Sequence, residues 1–134
     1  MFFELELVIR LIISFLLSTI IGVEREISLK PAGLRTHVLV CMGSTLFTIL
    51  SLYAFPGADT SRVAASIAIG IGFIGAGTIV KTQKKIIGLT TAATLWITAS
   101  MGVAVGAGFY LLASVVAVFT YLILRLAKIE KSID

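Results

Sequence analysis

Acidic side chains are scarce in this sequence, and between Asp59 and Glu130 there are none. That gap excludes paired-carboxylate chemistry and a dedicated hard-cation cage from the stretch, because Mg²⁺ prefers oxygen ligands and is usually held by carboxylates. A divalent ion could meet only Glu24, Asp59, the N-terminal acids, carbonyls and hydroxyls. The single cysteine, Cys41, excludes an intrachain disulfide, and with one histidine there is no metal-binding Cys/His spacing. Cys41 lies in an apolar run and reads as a small buried residue. Charge is also sparse: 13% of residues are charged and 58% hydrophobic, with mean hydropathy +1.10, against about 25% charged in soluble domains. The chain is expected to be an integral membrane protein with the lipid bilayer as its surroundings. Its net charge of +4 comes from Lys and Arg dispersed among short loops, so nucleic acid is not an expected partner. The N-terminus carries acids where a secretory signal carries positive charge, and the first segment is expected to be retained.

A hydrocarbon core of about 30 Å needs ~20 helical residues. Leu5 to Val23 is the first such run, with Arg10 near an end and expected to snorkel to the headgroups. Pro31-Ala32-Gly33 breaks the polar connection that follows, and the second span is expected over 37–55, until Pro56-Gly57. Asp59, Thr60 or Ser61 caps the third, expected over 63–80. From Ile86 to Leu124 no charged residue occurs, a run about twice one span. Gly102, Gly106 and Gly108 mark its break, so spans four and five are placed at 87–105 and 109–124. The expectation is an all-α polytopic bundle of five spans forming one domain over 1–134. Placing the C-terminus inside puts Arg25, Lys30, Arg35, Lys81, Lys84, Lys85, Arg125, Lys128 and Lys131, nine of eleven basic residues, on the cytoplasmic side. The positive-inside rule then gives N-terminus out, C-terminus in.

The stretch Ile-Gly-Ile-Gly-Phe-Ile-Gly-Ala-Gly-Thr, Ile69 to Thr78, leaves its backbone nearly bare. Gly70 to Gly75 spells G-x-G-x-x-G, but a dinucleotide site also wants an acid about 20 residues on, and none is there. As a helix, Ala64, Ala68, Gly72 and Ala76 align small residues for close helix packing, as membranes favour. Gly70, Gly75 and Gly77 lie on other sides, and unwinding near Gly75 to Gly77 stays open.

Ionisable residues gather at the cytoplasmic ends of the first two spans: Glu24, Arg25, Arg35 and His37, beside Thr36. Arg35 is expected to pair with Glu24 and pin the loop, while His37 alone reads as the start of a helix at the interface. Thr90, Thr91 and Thr94 supply three hydroxyls in a turn and a half, either as glue between helices or as the lining of a polar pathway. Trp96 falls too deep for an interfacial belt and is expected to cover the bare third helix. No Ser/His/Asp set or phosphate loop is present, so an enzyme is not expected.

Five stretches together resemble the MgtC/SapB family of bacterial inner-membrane proteins: Gly22-Val-Glu24-Arg25-Glu26, Pro31 to His37, Arg62 opening the third span, Gly70 to Gly77, and Gly88 to Trp96. They cover most of the chain from Gly22 to Gly108. The resemblance implies a role in magnesium limitation, no resident cofactor, and magnesium as substrate or effector. Members have been called transporters, while the best-known one is regarded as a regulator that restrains the F-type ATP synthase. Many carry a soluble C-terminal domain, which is expected to be absent here. Two functions therefore stay open. As a transporter, the protein would admit its ligand at Glu24, Arg25, Arg35, Thr36, His37 and Arg62. As a regulator, it would dock a membrane-protein partner through small-residue faces. A homodimer is expected in either case.

Overall fold

The computed structural model describes residues 1–130, with side chains through 126. Its elements are α1 (Phe2–Ile27), α2 (Leu34–Tyr53), α3 (Ser61–Ala76), β1 (Val80–Lys81), β2 (Ile86–Ile87), α4 (Leu89–Gly106) and α5 (Tyr110–Glu130). The helices fall where the apolar runs predict them, with shifted ends. Lys131 lies outside the described residues, as does the side chain of Lys128.

Among the described residues, three helices are long and apolar enough to cross a membrane: α1, α2 and α4. The third is shorter than expected over 63–80. Its 16 residues reach about 24 Å at 1.5 Å per residue, short of a ~30 Å core. It stays regular through Ala76, and the expected weakness at Gly75 to Gly77 is instead its terminus, where Thr78 Oγ1 donates to Gly75 O at 2.7 Å. Among the described residues one short hairpin interrupts the helices. Val80 pairs with Ile87 and Lys81 with Ile86 in an antiparallel ladder, which uses β-branched residues that favour strands. Thr82 N donates to Lys85 O at 2.9 Å and closes the loop. The turn into α4 needs Gly88, at φ 93, because a Cβ there would collide with Thr78 O.

The core is formed by α1, α2 and α4, with α5 against α1 and α4 and with α3 held mainly by α4. The tightest crossing is between α2 and α4. A Cβ on Gly102 would strike Cys41 O and come within 2.7 Å of Ser44 Cβ. One on Gly106 would lie 2.6 Å from Thr48 Cβ and 2.8 Å from Thr45 O. The backbones can approach this closely only because both residues lack side chains. Apolar clusters are small: Ile21, Cys41, Met101, Ala117 and Leu124 form one, and Ala32, Ile71, Leu95 and Ala99 another.

A polar core between three helices

The polarity of these helices is inverted relative to a soluble bundle. Leu5, Val8, Ile12, Phe15 and Leu16 of α1 are exposed, while Arg10, Ser14, Ser18, Glu24 and Arg25 are buried. Opposite them lie buried His37, Ser44, Thr45 and Thr48 of α2, and buried Thr91, Thr94 and Thr98 of α4. A polar column thus runs through the interior, which suits an apolar solvent outside. Most of its hydroxyls bond backbone carbonyls of their own helix: Ser18 to Ser14 O at 2.6 Å, Thr48 to Ser44 O at 2.8 Å, and Thr98 to Thr94 O at 2.7 Å. Thr45 is the exception and crosses to Gly102 O at 3.0 Å.

At the loop end, Arg25 binds Glu24 Oε2 through Nε and Nη2, each at 2.6 Å, and Ser28 Oγ donates to Glu24 Oε1 at 2.8 Å. Both charged side chains are 3% exposed. The ring of His37 spans from Gly33 O to Thr94 Oγ1. Glu24, Arg25, His37, Thr91 and Thr94 are therefore brought together, with Thr36 half-buried nearby in sequence. A cleft of about 500 Å³ opens at this end between Arg25, Lys30, Ile86, Thr90 and Leu126.

Several expected site residues fall elsewhere. Arg35 is exposed and makes no ion pair among the described residues, because Arg25 and Ser28 occupy the Glu24 carboxylate. Arg62 is exposed at the start of α3, at the opposite end from the cluster, because α3 follows the end of α2. Thr90 is exposed at the mouth of the cleft. Trp96 is 51% exposed and does not cover the glycine-rich helix. That contact belongs to Ala92, whose Cβ would lie 3.4 Å from a Cβ on Gly75. Gly70 and Gly72 face open space, and Gly77 closes the helix. Gly70 also lines a groove of about 620 Å³ between α2 and α3, together with Leu39, Gly43, Phe47, Ile67 and Ile71.

Two polar contacts escaped the sequence. Arg10 is 5% exposed rather than snorkelling. It donates to Gly106 O at 2.6 Å, pairs with Glu6 and lies over the Tyr53 ring at 5.6 Å. A cation placed on the carbonyl end of α4 meets the negative end of that helix, and the Glu6–Arg10 spacing of four was its one visible signal. Glu26 accepts from Leu34 N at 2.9 Å and caps α2 across the loop. In the connection before α3, Asp59 Oδ1 accepts from Ser61 N at 2.9 Å and from Ser61 Oγ at 2.6 Å. These bonds hold the Asp59 carboxyl below the usual carboxylate range. Among the described residues, no group of three or more His, Cys, Asp or Glu could hold a metal ion.

Long apolar helices with their polar side chains turned inward define a helical membrane protein. The family model that matches covers residues 11–132, and the chain belongs to the MgtC family. It is 47% identical over 128 residues to the Escherichia coli (strain K12) protein named "Putative magnesium transporter YhiD", covering 90% of this chain and 60% of that one. Protein MgtC of Brucella abortus (strain 2308) is 46% identical over 106 residues, 79% of this chain and 44% of that one. Protein SapB of Bacillus subtilis (strain 168) is 41% identical over 114 residues, 78% and 49%. The chain thus spans about half the length of these relatives. No solved structure matches it.

Proposed function

We propose that this protein acts in magnesium or ion homeostasis in a bacterial inner membrane, as one transmembrane unit over 1–134 that moves an ion along its polar core. The observation that carries this reading is the inverted polarity of α1, α2 and α4, since ionisable residues inside an apolar bundle are costly and mark ion pathways. The name of the Escherichia coli relative supports magnesium as the ion. Five spans with the N-terminus outside and the C-terminus in the cytoplasm agree with the common cleft that joins Arg25, Lys30 and the end of α5. Glu24, Arg25, His37, Thr91 and Thr94 form the inner gate, and the Glu24–Arg25 pair must separate for an ion to pass.

A second reading has its own support. The groove between α2 and α3, with Gly43 and Gly70 unobstructed, could receive a helix of a second copy or of a membrane complex such as the F-type ATP synthase. The protein would then regulate without transporting.

Magnesium flux into proteoliposomes decides between the readings. Wild-type flux above empty liposomes, lost when Glu24→Gln and Arg25→Gln are combined, supports transport through the gate. Removing both charges avoids leaving one buried and unpaired, which alone costs about 3–5 kcal/mol. Correctly inserted wild-type protein without flux overturns transport, and Gly70→Leu with an interaction assay then tests the groove.

A further inference from the structure

His37 is the chain's single histidine and is fully buried. Its Nδ1 lies 2.9 Å from Gly33 O. A carbonyl only accepts, so Nδ1 carries a hydrogen in either protonation state. Its Nε2 lies 3.2 Å from Thr94 Oγ1. That hydroxyl has one hydrogen and also lies 2.8 Å from Thr91 O. With a neutral ring, the hydrogen can go either to Nε2 or to Thr91 O, which as a helix carbonyl also accepts a backbone N–H of α4. If Thr91 receives it, two lone pairs face each other across the gap between α2 and α4. With an imidazolium the chain is complete: Nε2–H donates to Thr94, and Thr94 donates to Thr91.

We propose that His37 is a proton-binding site whose occupancy reverses the hydrogen bond between α2 and α4. A proton from water adds to the Nε2 lone pair. The Thr94 hydrogen turns from Nε2 to Thr91 O, and no covalent bond of the protein breaks. Among the described residues two charged groups act on the ring, both from α1: Arg25 repels the added charge and Glu24 attracts it. Its partners on α4, Thr91 and Thr94, do not titrate. Proton uptake therefore adds a third charge beside the buried Glu24–Arg25 pair, and links acidity on the inner side to the most enclosed ion pair among the described residues. This goes beyond the transport reading, because the site binds a proton whether or not an ion passes.

The test is ¹⁵N NMR of the histidine-labelled full chain in bilayer discs, where a single histidine leaves no ambiguity of assignment. At high pH the ring should be the Nδ1–H tautomer with Nε2 bare. On acidification Nε2 should gain a proton. Thr94→Val, which removes the acceptor of Nε2–H, should move the midpoint down by about one unit or more, and Thr94→Ser should leave it near the wild type. An Nε2–H tautomer at high pH, a ring that stays neutral until the protein unfolds in acid, or a midpoint unmoved by Thr94→Val overturns the proposal. The tautomer measurement needs no variant, so it stands even if Thr94→Val fails to fold.

Discussion

Helices α3 and α4 are both rich in glycine and alanine, yet the structure uses them in opposite ways. The four glycines at 70, 72, 75 and 77 make α3 the barer helix in sequence, but Gly70 and Gly72 have no atom within 4 Å of where a Cβ would stand. On α4, Gly102 and Gly106 sit where α2 crosses, against Cys41 O and Thr48. A small residue permits close approach; whether a neighbour makes use of it depends on which helices the connections bring together. The loop from α1 to α2 is short and α4 fills the gap between them, so the crossing goes to α4 and α3 is left on the rim.

The sharpest way to break this contrast is leucine at each site. Gly102→Leu should cost about 3 kcal/mol or more, since the overpacking falls on backbone and on Ser44 Cβ. It should appear as lost resistance to denaturant in detergent micelles. Arg10→Met should come next, at about 2 kcal/mol, because Gly106 O loses a charged donor while Glu6 is half-exposed and can be hydrated. The same denaturation measurement checks it, and a change under about 0.5 kcal/mol would show that α4 needs no cation at its carbonyl end. Thr45→Val, which removes the side-chain bond across the α2–α4 crossing, should cost about 0.6–1 kcal/mol. Gly72→Leu should lie within about 0.5 kcal/mol of zero, since the side chain enters open space. A loss as large as that of Gly102→Leu would mean that α3 is covered in the working protein.

The smallest effect concerns the start of α3 and depends on pH. The folded-state value of Asp59 is depressed by its two bonds from Ser61. Its contribution is therefore present above the unfolded carboxylate value and is lost as pH falls through the folded one. The protection of the Ser61 amide against exchange, relative to an unstructured chain at the same pH, should fall on acidification below about pH 4, and Asp59→Asn should flatten that dependence.

Much of the fold was legible in sequence because it follows from local rules. Apolar runs bounded by Pro31, Gly33, Pro56 and Gly57 placed the helices to within a few residues. The hairpin at Val80 to Ile87 was hidden by its two-residue strands, too short for any period to register. The site was legible only in part. Glu24, Arg25, His37, Thr91 and Thr94 meet, but Glu24 takes its adjacent arginine rather than Arg35, a choice that rests on which side chain faces the interior. Arg10 was misread because an arginine near a helix end ordinarily reaches water, and only the end of α4 beside it offers a better partner.

The sequence by itself determined the solvent, the helices and the inward polar faces, since hydrophobicity and hydrogen-bonding capacity belong to each residue and need no neighbour. The tertiary structure alone decided which glycines are crossed, which acid meets which base and where Arg10 ends. Those outcomes depend on distances between segments far apart in the chain, and a few ångströms of helix placement decide each of them.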